Sequence, residues 1–385
     1  MRFILQKRVH VLITTVAFVI YLLSSCSTIV DSYPIHNTTK PEAVSTRDDT
    51  TKVLDSANTT TIFTDSVGRQ VEVPVQINRV VPSGPISQVV LYTAVSDLLV
   101  GLAVPFTSEA ERFLPIEVYQ LPVFGQFFGR NAGINMEALM AATPDLVIDI
   151  GEKRSGITAD LDQLQEQIGI PVVFIESTRA NLGSKANVYA RLAELFPSHK
   201  TQLLNLNQQT QEIYNTVKGL VAGISQAERY TVYYATGDTG LHTIAAGILH
   251  SQIFDTLGLH NVVEGIEGSN QVGGTVVNME QLFLWDPDVI VVETSSAYEI
   301  ITTDVSWASL SAVQNGRVYL IPSIPYNFLG SPPSVNQLIG MLWLGNIVYP
   351  EVFQLDMEQK VIEFYREFYQ IILSNEQVQE ILMSK

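Results

Sequence analysis

Charged and aromatic side chains in this sequence gather just beyond apolar, β-branched runs, a placement that suits holding a ligand more than transforming one. In the first half, Ser83 follows Val80-Val81, and Gln126-Phe127-Phe128-Gly129-Arg130-Asn131 reads as a loop. Lys153 and Arg154 follow the run Leu146 to Ile150, and Arg179 follows Val172 to Ile175. In the second half, His242 trails Tyr230 to Tyr234, while Tyr326 and Phe328 come after Val318 to Ile321. Arg130, Lys153, Arg154 and Arg179 stand out because Asp and Glu outnumber Lys and Arg by 39 to 22. A guanidinium offers a fork of donors matched to carboxylate, catecholate or oxyanion oxygens, so the set points to an anionic ligand. Taken singly, each is also an ordinary solvated loop charge. Phe127, Phe128, Tyr326 and Phe328 would give an aromatic wall for a planar chelate, or plain packing.

The histidines argue against a bare metal ion as ligand. His242, His250 and His260 all fall in the second half, and none lies between residue 61 and His199. A naked Zn²⁺ or Mn²⁺ held between two lobes would want imidazole or carboxylate donors from both. His242 or His250 is left as a supplementary ligand to a metal that arrives already chelated. Tyr233 and Tyr234 are neighbours on a strand and so face opposite sides, which keeps them from sharing a metal. Neither a Gly-x-Ser-x-Gly turn nor a Gly-x-Gly-x-x-Gly loop occurs. Cys26 is the only cysteine, so the body has no disulfide and no thiol chemistry. An enzyme carried on the cell surface is therefore the remote alternative, and no cofactor is expected.

These residues need a scaffold, and the patterning supplies one. Apolar runs at residues 80–81, 99–104, 146–150 and 172–175 alternate with helical segments such as Ser87 to Leu98 and Thr158 to Ile168. A second series runs through Tyr230 to Tyr234, Val289 to Val292 and Val318 to Ile321. Such alternation predicts an α/β fold of two similar Rossmann-like lobes with mainly parallel sheets. Between the series, Leu203, Leu206, Thr210, Ile213, Val217, Leu220 and Ile224 recur at steps of three and four, the signature of one long helix. The expected organisation is an N-terminal lobe over 61–199, a connecting helix over 200–224 and a C-terminal lobe over 225–385. One stiff helix between lobes predicts limited closure on a ligand.

Ahead of the lobes, Arg2, Lys7 and Arg8 precede an apolar run from Val9 to Leu23 and then Leu23-Ser24-Ser25-Cys26. That run is shorter than the ~20 residues of a membrane span and reads as a signal peptide over 1–25. Cys26 stands where a bacterial lipobox places its acylated cysteine. Residues 26–60, rich in Ser, Thr, Asn and Asp, read as a lipidated flexible stalk. The formal charge is −17, and because the first 25 residues hold three cations and no acid, the rest carries −20. So acidic a surface argues against nucleic acid as a partner.

The two series also echo one another. Asn135-Met136-Glu137-Ala138-Leu139, four residues and Pro144-Asp145 recur as Asn278-Met279-Glu280-Gln281-Leu282, four residues and Pro287-Asp288. Each reads as a short Asn-capped helix stopped by proline and feeding a strand. With the hairpin sequence Thr64-Asp65-Ser66-Val67-Gly68-Arg69, the stretch Trp307 to Tyr319 and the stretch Pro332 to Leu338 continuing to Trp343 and Tyr349-Pro350, these units carry a resemblance to a known family. The chain resembles the class III binding proteins of ABC importers for iron–siderophore, haem and cobalamin-type ligands, over about residues 61–373. The resemblance implies an exported, monomeric capture protein, lipid-anchored in the bacterial cell envelope and doing no chemistry. It implies an iron(III)–siderophore as first choice of ligand, with haem, a corrinoid, a nickel or cobalt chelate or an oxyanion as alternatives. It further implies that Glu137 and Glu280 dock on arginines of an ABC permease dimer, although a first-turn glutamate is favoured by the helix dipole in any case. Leu329-Gly330-Ser331 stand where the family usually has more aromatic residues, so the ligand type does not transfer with the fold.

Overall fold

Short apolar runs that favour burial on both faces build two largely parallel sheets. The computed structural model describes residues 60–129, 131–177, 183, 185–265 and 274–382. The expected leader and Cys26 lie outside them, as does the stalk apart from Thr60, which opens the first strand. β1 (Thr60–Thr64) and β2 (Gln70–Pro74) form the antiparallel hairpin that their alternation predicts. Gly68 takes φ 87° at its turn, a left-handed value that costs a residue with a Cβ.

β3 (Val80–Pro82) is followed by a small ribbon of β4 (Gly125–Gln126) and β5 (Gly133–Ile134), then by β6 (Leu146–Gly151) and β7 (Val172–Glu176). β3, β6 and β7 make a parallel sheet in that order, with Val81 opposite Val147 and Ile148 opposite Val173. The run Leu99 to Val104, expected as a further strand, makes only isolated bridges, Leu99 with Val80 and Leu102 with Val123. Past Leu99 the chain turns away to residues 122–124, where Leu102 N donates to Pro122 O and Phe124 N to Leu102 O, both at 2.8 Å. Gly101 permits this turn, because a Cβ there would lie 2.0 Å from the Phe124 ring.

The second sheet holds β8 (Thr231–Thr236), β9 (His242–Thr243), β10 (His260–Asn261), β11 (Thr275–Val276), β12 (Val289–Val292) and β13 (Val318–Leu320). β10, β8, β12 and β13 run parallel, while β9 and β11 add an antiparallel edge. Tyr233 and Tyr234 belong to different core clusters on the two faces of β8, as strand alternation requires.

The connecting helix runs Lys200–Val221, about 33 Å at ~1.5 Å per residue. Its buried stripe is Leu203, Leu206, Thr210, Tyr214, Val217 and Val221, so Tyr214 and Val221 take the places expected for Ile213 and Leu220. One apolar core continues through both lobes, joining Val80, Leu203, Val232 and Tyr369. The chain end, read from sequence as part of the second lobe, returns to the first: Tyr92 OH donates to Tyr369 O at 2.9 Å, and Arg112 pairs with Glu380.

The repeated motif does the same mechanical work in each lobe. Asn135 accepts from Ala138 N at 3.1 Å, capping the helix Met136–Ala141, and Asn278 accepts from Gln281 N at 2.8 Å, capping Met279–Trp285. Two residues before each Pro-Asp aspartate, the backbone turns left-handed, at Thr143 (φ 41°) and Asp286 (φ 40°). The aspartates then hold the entry of the neighbouring strand: Asp145 accepts from Asn78 N and Arg79 N, and Asp288 from Thr231 N and Thr231 Oγ1, at 2.7–2.9 Å.

Candidate functional site

The carboxyl ends of the strands from both lobes meet around a cleft, where open α/β sheets present their ligand sites. A cavity of about 280 Å³ lies there, with Pro85, Gln88 and Phe106 on the first-lobe side and Glu293, Tyr326 and Ser331 on the second. Gln88 is one of three polar residues, with Ser87 and Thr93, in the mostly apolar helix Pro85–Val95. Its Oε1 accepts from Ala103 N at 2.8 Å and Val104 N at 3.0 Å, which fixes the amide and turns its Nε2 toward the Tyr326 hydroxyl. Tyr326 packs against Phe106 (ring centroids 5.6 Å apart), Tyr92 and Tyr369, and its hydroxyl is buried beside the Gln88 amide.

Two half-buried carboxyls stand apart, Glu293 on the cavity wall and Asp149 on a first-lobe strand. Asp149, on β6, is held toward its protonated form by burial, opposed by a short hydrogen bond from Ser83 Oγ and by Arg154. Glu293, directly after β12, is pushed the same way by burial and opposed by a hydrogen bond from Ser331 Oγ. Lys185, at the start of the helix Lys185–Leu195, is buried and its Nζ has no hydrogen-bond partner. Burial pushes its ammonium down to about 8, with Glu152 opposing the shift. His250 is driven toward the neutral form, mainly by burial and further by the charge of Lys185.

The residues expected from sequence are distributed unevenly around this cleft. Ser83 is buried directly after β3 and is committed within its lobe, meeting Asp149 and standing 3.1 Å from Ser87 Oγ. Lys153 pairs with Glu176 at 2.8 Å, and Arg154 pairs with Asp160 and stacks over Phe128 at 5.6 Å. Gln126 is half-buried on β4 and Asn131 is exposed between β4 and β5. Arg130 and Arg179 lie outside the described residues. His242 is exposed on β9 beside Gly237. Phe328 is fully buried, and its carbonyl sits against Gly340, so it is core and not wall. Phe127 is also core, and Phe106 takes its place beside Tyr326.

Sequence reading passed over Gln88, Phe106, Lys185, Glu293 and Ser331. A signal existed for two of them: Glu293 immediately follows the apolar run of β12, and Gln88 interrupts an apolar helix. Lys185 carries none, because only the folded chain shows that it is buried. Among the described residues, no three His, Asp or Glu side chains converge as metal donors, and no helix is long and apolar enough to cross a membrane.

Glu137 and Glu280 are exposed in the first turns of the two Asn-capped helices, one in each lobe. Exposed apolar residues accompany them: Met140 in the first lobe, and Val276, Phe283 and Leu284 in the second.

A family model described as periplasmic binding protein matches residues 125–325, slightly more than half of the chain. This chain belongs to that family. As a periplasmic binding protein it is the extracytoplasmic solute-binding component of an ABC transporter, and family members are transport proteins and not enzymes. An ABC transporter solute binding protein from Sulfurospirillum deleyianum superposes with a TM-score of 0.76 at 29% identity, covering 84% of this chain and 99% of that one. A molybdate periplasmic binding protein of Haemophilus influenzae gives 0.64 at 22% identity over 82% and 99% of the two chains. The periplasmic vitamin B12 binding protein of Vibrio cholerae gives 0.53 at 19% over 72% and 98%. None of the curated proteins compared with this binding protein matches it.

Proposed function

We propose that this binding protein captures a metal chelate of the iron(III)–siderophore class between its lobes and delivers it to an ABC permease, held at the membrane by lipid on Cys26. The observation that carries the reading is the cavity walled by both lobes, with the aromatic rings of Phe106 and Tyr326 and the polar side chains of Gln88, Glu293 and Ser331 on its sides. A ligand whose surface is met from two lobes is enclosed when they approach, and no bond in it is made or broken. At about 280 Å³ the cavity falls just below the ~300–1,000 Å³ common for small-molecule sites, so a siderophore-sized chelate requires the lobes to part. The same small volume favours a second reading, an oxyanion, and the Haemophilus influenzae relative was solved with molybdate.

Delivery is assigned to Glu137 and Glu280. Matched carboxylates on both lobes steer docking and fix register, and the exposed Met140, Phe283 and Leu284 add contact area. The protein acts as a monomer in this scheme.

Titration of the purified protein by tryptophan fluorescence, with ferric catecholate, hydroxamate and citrate chelates, haem, cobalamin, nickel–histidine, molybdate and bare divalent ions, tests the capture reading. Saturable quenching by one chelate is expected; binding of bare Zn²⁺ alone would overturn it. Replacing Glu137 and Glu280 together by alanine should lower uptake by about tenfold or more while leaving ligand affinity unchanged. Uptake that survives the double replacement removes the docking role.

A further inference from the structure

The second lobe carries a cavity that capture does not use. The cleft lies at the carboxyl ends of the strands, where Glu293 follows β12. At the amino ends of β8, β12 and β13 lies another cavity, of about 480 Å³ against about 280 Å³ for the cleft. Tyr230, directly before β8, and Arg317 and Tyr319, at the start of β13, line one side. The end of the helix Gln337–Val348, with Tyr349 and Val352 beyond it, lines the other.

Arg317 dominates the chemistry of this space. Its guanidinium lies 4.6 Å from the centroid of the Tyr230 ring, and that ring lies 5.6 Å from the ring of Tyr349. The backbone beneath it is fixed from two sides: Arg317 N donates to Ala312 O at 2.8 Å, and Arg317 O accepts from Ile290 N at 2.9 Å. The side chain is half-buried, yet it pairs with no carboxylate among the described residues. Glu228 also lines the cavity but is committed to Ser225, accepting from its N at 3.0 Å and its Oγ at 2.6 Å. Glu351 lines it as an exposed side chain.

A guanidinium stacked on a tyrosine is by itself ordinary packing. Here the stacked pair borders an open volume within the ~300–1,000 Å³ of small-molecule sites, and the planar fork of donors has no carboxylate to meet it. The sequence stretch Trp307 to Tyr319, which ends in Arg317, Val318 and Tyr319, carried part of the family resemblance, and capture at the cleft gives Arg317 no task.

We propose that this cavity is a second ligand site, separate from the cleft, that takes a small aromatic carboxylate. The carboxylate is received by the Arg317 guanidinium and the ring lies among Tyr230, Tyr319 and Tyr349. Stacking holds the guanidinium plane in place, so its fork loses little freedom on meeting a carboxylate, and tyrosine rings offer offset or edge contacts to a further ring. A cationic ring would be repelled by Arg317, and a purely apolar one would leave the fork unused. Because the two cavities lie at opposite ends of the strands, the proposal does not rest on the capture reading.

Calorimetry on the full-length protein with phenylacetate, and with phenethylamine as the same ring on a cation, tests the assignment. Phenylacetate is expected to saturate a single site at least about tenfold more tightly than phenethylamine, and to weaken by about tenfold or more in Arg317→Gln, as loss of a charge-assisted pair requires. Val352→Trp, at a 38% exposed position of the cavity wall, should block phenylacetate by filling the volume while the fold stays intact. Absence of phenylacetate binding overturns the proposal, and so does equal binding of phenethylamine. Unchanged phenylacetate binding in Val352→Trp or in folded Arg317→Gln overturns it as well, since the ligand then sits elsewhere, the cleft included. Should Arg317→Gln not fold, Val352→Trp decides alone. None of these results bears on capture, which the fluorescence titration of the cleft reads separately.

Discussion

Single residues in this protein are assigned by what they lack as much as by what they touch. Lys153 and Arg154 look like free cations in the sequence and are partnered in the fold, whereas Lys185 is an unremarked helix-start lysine that the fold strips of water. That burial has a thermodynamic signature. The unfolded chain keeps the Lys185 ammonium to about 10.5, the folded chain only to about 8. Between those values the unfolded state binds more protons, so stability should rise with pH, by roughly 3 kcal/mol over the window. Urea unfolding at pH 7.5 and pH 10 should show this gain in wild type and not in Lys185→Met. A second residue-scale expectation concerns Tyr92, whose hydroxyl joins the first lobe to the returning chain end. Tyr92→Phe should cost about 1 kcal/mol, the net worth of one buried hydrogen bond, read from the same unfolding curves.

At the scale of elements, the duplicated Asn–Met–Glu and Pro–Asp units explain why two lobes of different sequence have matching architecture. Each unit caps a short helix, turns it left-handed and pins the start of the adjacent strand through a carboxylate accepting two bonds. Asn135→Ala and Asn278→Ala should each lower stability by about 1 kcal/mol, as loss of an N-cap generally does, with additive effects because the sites share no partner. Denaturation midpoints of the two single variants and the double variant check this. The helix Gln337–Val348 is buried along most of its length, and Gly340 lets it lie directly on the loop that carries Tyr326. A Cβ at Gly340 would stand 2.0 Å from Phe328 O. Gly340→Ala should therefore push that loop toward the cleft and weaken ligand binding as well as stability, measurable by fluorescence titration beside the unfolding curve.

At the scale of the molecule, the connecting helix and the continuous core make wide hinge motion expensive. Core residues from both lobes and from the returning chain end pack as one cluster, and Tyr92, Tyr326 and Tyr369 meet in it at ring separations of 5.9–6.3 Å. Closure must come from small adjustments around the cavity and not from rotation of a lobe. Small-angle X-ray scattering with and without saturating ligand should show a change in radius of gyration of no more than about 1 Å; a shift of several ångströms would mean that this core opens.

The sequence alone determined the lobes, their parallel strands, the long helix and the twin motif, because each rests on local periodicity or spacing that a linear chain displays directly. It placed the exposed glutamates for the same reason. Tertiary structure decided the rest. Which run fails as a strand depends on Gly101 and Phe124, distant neighbours brought together by folding. Which cations are neutralised depends on acids 6 to 23 residues away. Which lysine is buried, and which amide lines the cavity, are properties of solvent exclusion, and solvent exclusion exists only once the chain has folded.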